Sequence, residues 1–170
     1  MRIALTLLAA CTAVPVPLLA QATPQELLGG MTANVARIGE PGEKDRWQAN
    51  TGLWQIALAQ PLPAKAELAR MTVLLERVRA NIAKVTAPAE RDRWQANVEL
   101  WTVATRVKLD FRAGDDIKLR GPFERMKLNV AAITEPGEQA RWTANRDLWQ
   151  VMVNRASATR VDPVIAPHNP

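Results

Sequence analysis

The chain has 170 residues and a formal net charge of +5, a length that suits one domain with a core of its own. Its basic residues are interleaved with acidic ones, as in Glu43-Lys44-Asp45-Arg46 and Glu90-Arg91-Asp92-Arg93. No Lys/Arg cluster is set among spaced aromatics, so the composition argues against a nucleic-acid partner. There is no Tyr, only two Phe, and six Trp, which suggests that one tryptophan-bearing unit has been copied.

Residues 1–22 read as a secretory signal peptide. Arg2 supplies the positive start, Ile3 to Ala10 the apolar stretch, and Ala20-Gln21-Ala22 a small-x-small cleavage site, so the mature chain is expected to begin at Thr23. Pro15, Pro17 and the modest length argue against a membrane-spanning helix. Leu8-Ala9-Ala10-Cys11 also resembles a bacterial lipoprotein box, which offers a lipid anchor at Cys11 as the alternative. Cleavage before Thr23 removes the sole Cys, leaving no disulfide and no thiol chemistry. The expected location is exported, periplasmic or secreted.

The rest of the chain, 23–158, reads as one domain of three helical-hairpin repeats, about 26–60, 64–112 and 122–157, followed by an irregular Pro-rich tail at 159–170. The copies align as Asn34 to Trp54, Asn81 to Trp101 and Asn129 to Trp149. Ten positions are identical in all three copies; in the first they are Asn34, Ala36, Pro41, Glu43, Arg46, Trp47, Ala49, Asn50, Leu53 and Trp54. All six tryptophans fall on two of these positions.

Each copy predicts helix, tight turn, helix. The turns centre on Glu40-Pro41-Gly42-Glu43, Ala87-Pro88-Ala89-Glu90 and Glu135-Pro136-Gly137-Glu138. Pro suits the first helical position, where its missing N–H has no partner to lose. Glu three residues into the helix is expected to bond back to the cap. A connection this short makes the two helices antiparallel neighbours.

The first helices carry apolar stripes: Leu28, Met31, Val35, Ile38; Leu75, Val78, Ile82, Val85; and Phe123, Met126, Val130, Ile133. The second helices, roughly 41–59, 88–106 and 136–155, carry Trp47, Asn50, Trp54; Trp94, Asn97, Trp101; and Trp142, Asn145, Trp149. Ala49, Ala96 and Ala144 keep one edge small, so that a neighbouring helix can come close. Gln60-Pro61-Leu62-Pro63 ends the first copy, and Arg112-Ala113-Gly114-Asp115 and Gly121-Pro122 are expected to break the chain before the third. The fold is therefore all-α, with three tandem hairpins and six main helices. They can stack as a short solenoid or close into a pseudo-threefold bundle.

An Asn within an otherwise apolar stripe has to be satisfied, because a buried unpartnered amide costs about 1–3 kcal/mol. Asn34 and Asn50 are equidistant from the turn, as are Asn81 and Asn97, and Asn129 and Asn145. Each pair could meet across its hairpin and fix the register. The other reading is a ligand-binding ladder of Arg46, Trp47, Asn50, Trp54, Arg93, Trp94, Asn97, Trp101, Arg141, Trp142, Asn145 and Trp149. Rows of Trp and Asn on one helix face resemble the peptide-binding array of armadillo repeats, although the spacing differs and the unit here has two helices. That resemblance implies a protein or peptide partner; tryptophan faces also stack on sugars, so a glycan is the further option. Each Arg directly before a Trp reads as an ion pair or as stacking on the ring.

The sole His is His168, in the tail, so no His-based triad or His metal site is available. No Gly-rich phosphate loop occurs. The expectation is a non-catalytic interaction module without cofactor or metal. The alternatives are a structural envelope-associated protein with the Trp/Asn stripes as core, and a glycan-binding or glycan-processing protein.

Overall fold

The computed structural model describes residues 22–59 and 62–159. The expected leader, the Cys11 anchor and His168 lie outside the described residues. Six helices are described: α1 (Pro24–Ala36), α2 (Pro41–Ala57), α3 (Lys65–Ile82), α4 (Pro88–Arg106), α5 (Asp115–Ala131) and α6 (Pro136–Ala158). They form three hairpins, α1–α2, α3–α4 and α5–α6. Of the two arrangements open to the sequence, the chain takes the closed one. Each first helix packs against its own second helix and also against the second helix of the preceding hairpin, and α1 closes the ring by packing on α6. No helix among the described residues is long and apolar enough to cross a membrane.

Local sequence accounts for the helix boundaries. Pro41, Pro88 and Pro136 each sit at the first helical position, where no N–H is needed. The expected cap arrangement is corrected. The side chain that caps α2 is Glu40, just before the Pro, which accepts from the N–H groups of Gly42 and Glu43. Glu135 does the same for α6 through Gly137 and Glu138. Glu43 and Glu138 are thereby released for longer-range contacts. The second copy has Ala87 at this place and no side-chain cap. The reciprocal box instead forms at α1, where Thr23 accepts from the Glu26 N–H and Glu26 accepts from the Thr23 N–H. A carboxylate at this end also favours the positive helix terminus.

A second correction concerns Gly121-Pro122. These residues do not break the chain: α5 starts at Asp115 and runs through Pro122. A residue before Pro is normally pushed out of the α region by the ring. Gly121 has no Cβ, which lightens that clash and lets the helix continue. The true break is residues 107–114. α4 ends with the amide of Leu109 bonded to the Ala104 carbonyl and that of Lys108 to Thr105. Lys108 and Leu109 both take positive φ, at 54° and 61°. Burial of Leu109 and Phe111 anchors a backbone conformation that non-glycine residues seldom adopt.

The core is one cluster. It contains the six tryptophans and the apolar stripes Met31, Val35, Ile38; Met71, Leu75, Val78, Ile82; and Leu119, Phe123, Met126, Val130. Ala49, Ala96 and Ala144 are buried beside the tryptophans, the small edge that close helix approach requires.

The carboxylates set the expected acid response. Glu40 and Glu135 are exposed and held below their ordinary value of 4.5 by the helix N–H groups they accept from. Asp45 is held below 3.8, chiefly by its hydrogen bond from Arg77. These groups bind fewer protons folded than unfolded, so their stabilisation is complete above the ordinary carboxylate range and is lost as the pH falls through it. Glu43 is pushed up by burial and opposes this trend. A thermal unfolding series is expected to show a flat melting temperature from neutral pH to about 5 and a fall below about pH 4. A rise in melting temperature on acidification would contradict these assignments.

Candidate functional site

The repeated residues of α2, α4 and α6 converge on the pseudo-threefold axis. Positions 47, 50 and 54, with their counterparts, share one helix face because they are three and four residues apart. The structure turns all three faces inward. Trp47, Trp94 and Trp142 form one triangle, with ring centroids 4.9, 4.9 and 4.8 Å apart and edge-to-face angles of 65–68°. Trp54, Trp101 and Trp149 form a second triangle, with centroids 4.6, 4.8 and 4.6 Å apart. Edge-to-face packing places the positive ring edge against a neighbour's negative face. Around a threefold axis, each indole offers an edge to one neighbour and a face to the other. Seven residues of helix place the two layers about 10 Å apart.

The three Asn lie between the layers, each fully buried. They bond in a cycle: the Asn50 Nδ2 donates to Asn145 Oδ1 at 2.9 Å, Asn97 Nδ2 to Asn50 Oδ1 at 2.9 Å, and Asn145 Nδ2 to Asn97 Oδ1 at 3.1 Å. Each carbonyl oxygen also accepts an indole N–H from the second layer: Trp54 to Asn145, Trp101 to Asn50 and Trp149 to Asn97, at 2.8, 2.9 and 2.8 Å. Both lone pairs of every amide oxygen are therefore used. The Asn that was expected across the hairpin is elsewhere. Asn81 donates to Asp45 at 2.6 Å and Asn129 to Asp92 at 2.5 Å. Asn81 and Asn129 thus turn toward the preceding hairpin while Asn50, Asn97 and Asn145 bond one another, and the paired-Asn reading within a hairpin is overturned. Equal distance from the turn was insufficient because α3 and α5 turn their polar edges to the preceding hairpin.

Above the first tryptophan layer, Arg46, Arg93 and Arg141 bridge the hairpins in the opposite sense. Arg46 pairs with Glu90 at 2.8 Å, Arg93 with Glu138, and Arg141 with Glu43 at 2.7 Å. Each guanidinium also lies over a tryptophan of the next copy: Arg46 over Trp94 at 5.9 Å, Arg93 over Trp142 and Arg141 over Trp47, both at 5.7 Å. These Arg side chains are under one-tenth exposed. Removing one Arg would leave its Glu unpaired beside a tryptophan layer. The three pairing glutamates are repeated residues that spacing assigned to helix capping. Only the fold shows that they reach another hairpin.

All twelve residues read as a ligand-binding ladder are consequently brought together, and they contact one another. They are not arrayed on a surface groove as a solenoid would place them. Among the described residues, no group of three or more His, Cys, Asp or Glu is arranged to hold a metal ion. Comparison with protein-family models, with curated proteins and with solved structures returns no match.

The polar ring makes a quantitative prediction. Replacing Asn50 by Leu leaves the Trp101 N–H and the Asn97 amide without acceptors, at an expected cost of about 1–3 kcal/mol for each orphaned donor. Trp101→Phe removes the indole N–H itself, so the two substitutions should couple by about 0.5–3 kcal/mol in a denaturation double-mutant cycle. Strict additivity would show that the indole-to-amide bond contributes nothing.

Proposed function

We propose that the protein is an exported, non-catalytic structural scaffold of the cell envelope whose repeated Trp, Asn and Arg residues are core. The observation that carries this reading is the burial of all twelve of those residues, with Asn50, Asn97 and Asn145 closed into one hydrogen-bonded cycle. Every buried indole and amide of the second layer already has a partner within the chain. A ligand-binding use of these residues would require the ring to come apart.

Work done by such a scaffold falls to its outer surface, and its partner is another protein. The repeat identity is concentrated in the core and turns, whereas the exposed faces differ between hairpins. At matching positions the first offers Gly29 and Thr32, the second Glu76 and Arg79, and the third Glu124 and Lys127. Val73 and Leu128 are large apolar residues, 68% and 76% exposed. Three different faces suit recognition of one face by one partner, and not a ligand on the symmetry axis.

Two experiments separate the readings. A photoreactive residue at position 73 or 128, in the chain produced in its native host, should give discrete protein adducts. Titration of the purified protein with peptides and oligosaccharides should leave its tryptophan emission unchanged. Absence of adducts from every outer position, combined with a saturable emission change on adding oligosaccharide, would replace the scaffold reading with glycan binding through the tryptophans.

A further inference from the structure

The three seams between hairpins are built to one plan, but among the described residues one of them lacks its outer clamp. At the α2–α3 seam, Asp45 takes the Arg77 Nε at 2.8 Å and the Asn81 Nδ2 at 2.6 Å. At the α4–α5 seam, Asp92 forms an ion pair with Arg125, 3.3 Å from its Nε, and accepts from the Asn129 Nδ2 at 2.5 Å. Arg125 also reaches Glu99 at 2.7 Å. The repeat spacing assigns the equivalent positions of the α6–α1 seam to Ala140, Gly30 and Asn34. The Asp and the Arg are both gone, and Asp147, the counterpart of Glu99, pairs instead with its neighbour Arg146 at 2.7 Å.

Other features of α1 point the same way. At 13 residues it is the shortest helix, and it buries only Met31 and Val35 within its span, where α3 buries Met71, Leu75, Val78 and Ile82. Gly29 and Gly30 stand in its middle, and a Cβ at either would meet nothing within 4 Å. Packing therefore does not require these glycines, and each weakens a helix interior relative to Ala. The seam is also the only one of the three not spanned by a loop between its two helices, since α1 and α6 lie at opposite ends of the described chain.

We propose that the α6–α1 seam is the latch of the ring: α1 undocks from α6 and α2 as a unit, ahead of any other helix, while α2 to α6 remain assembled through the axial tryptophans and asparagines. Residues 37–40 are the hinge. Undocking bares the apolar face that Met31 and Val35 cover, at one seam only. Local openings of this kind are drawn from elements with few buried apolar contacts and weak helix propensity.

Hydrogen exchange followed by mass spectrometry on the full chain tests this. Amides of α1 should exchange at least tenfold faster than the matching amides of α3 and α5. Gly30→Arg combined with Ala140→Asp rebuilds the clamp, because an arginine at position 30 would face both a carboxylate at 140 and Asp147. The pair should slow α1 exchange about tenfold and leave α3 and α5 unchanged. Gly30→Ala serves as the control for helix propensity alone, and it should recover only part of that protection. Two results would overturn the proposal: α1 amides as protected as those of α3 in the unaltered chain, or a double variant whose effect equals that of its single changes added together. The first comparison needs no variant, so it stands even if the double change impairs folding.

Discussion

The structure depends on a buried ring of three amides that must satisfy one another. An asparagine side chain carries two donors and an acceptor with two lone pairs. Placed alone on an apolar helix face, it would be a liability of about 1–3 kcal/mol, threefold repeated, in a domain stable by about 5–15 kcal/mol. Asn50, Asn97 and Asn145 remove that liability by bonding head to tail and by sharing their oxygens with three indole N–H groups. The tryptophan layers on either side keep water away, which strengthens these bonds and also makes any vacancy among them expensive.

The direction of the bonds explains why the ring closes. Each Asn donates to the preceding copy, and each Arg pairs with the Glu of the following copy. An open stack of three would leave an amide without an acceptor at one end, and an Arg and a Glu without partners at its ends. Closing the ring removes those ends, with Asn50 bonded to Asn145 and Arg141 to Glu43. The edge-to-face triangles of tryptophan fit the same closure, since each ring has one edge to give and one face to receive. The small residues Ala49, Ala96 and Ala144 allow the first helices to fit between the second helices and cover the whole.

Much of this was legible in the residues themselves. The repeat, the six helices, the Pro-started second helices and the short turns all follow from local rules of helix capping and spacing. The inward face of α2, α4 and α6 could be drawn from the positions of Trp47, Asn50 and Trp54. Whether that face met solvent or its two copies could not, because helix periodicity places residues on one face of a helix without saying what the face meets. The Asn34–Asn50 pairing failed for a related reason. It treated the hairpin as the packing unit, whereas Asn81 and Asn129 turn toward the preceding hairpin's Asp45 and Asp92. Gly121-Pro122 misled because a glycine before proline both suggests a break and permits a helix.

The central claim is that all six tryptophans are core in a closed ring. Its most direct test is tryptophan emission of the purified chain from Thr23 onward, with acrylamide quenching in the native and the denatured state. The account predicts blue-shifted native emission that acrylamide barely quenches, both lost together on unfolding. Red-shifted, readily quenched emission from the native protein would mean that the tryptophan rows face solvent, and the closed ring would be wrong.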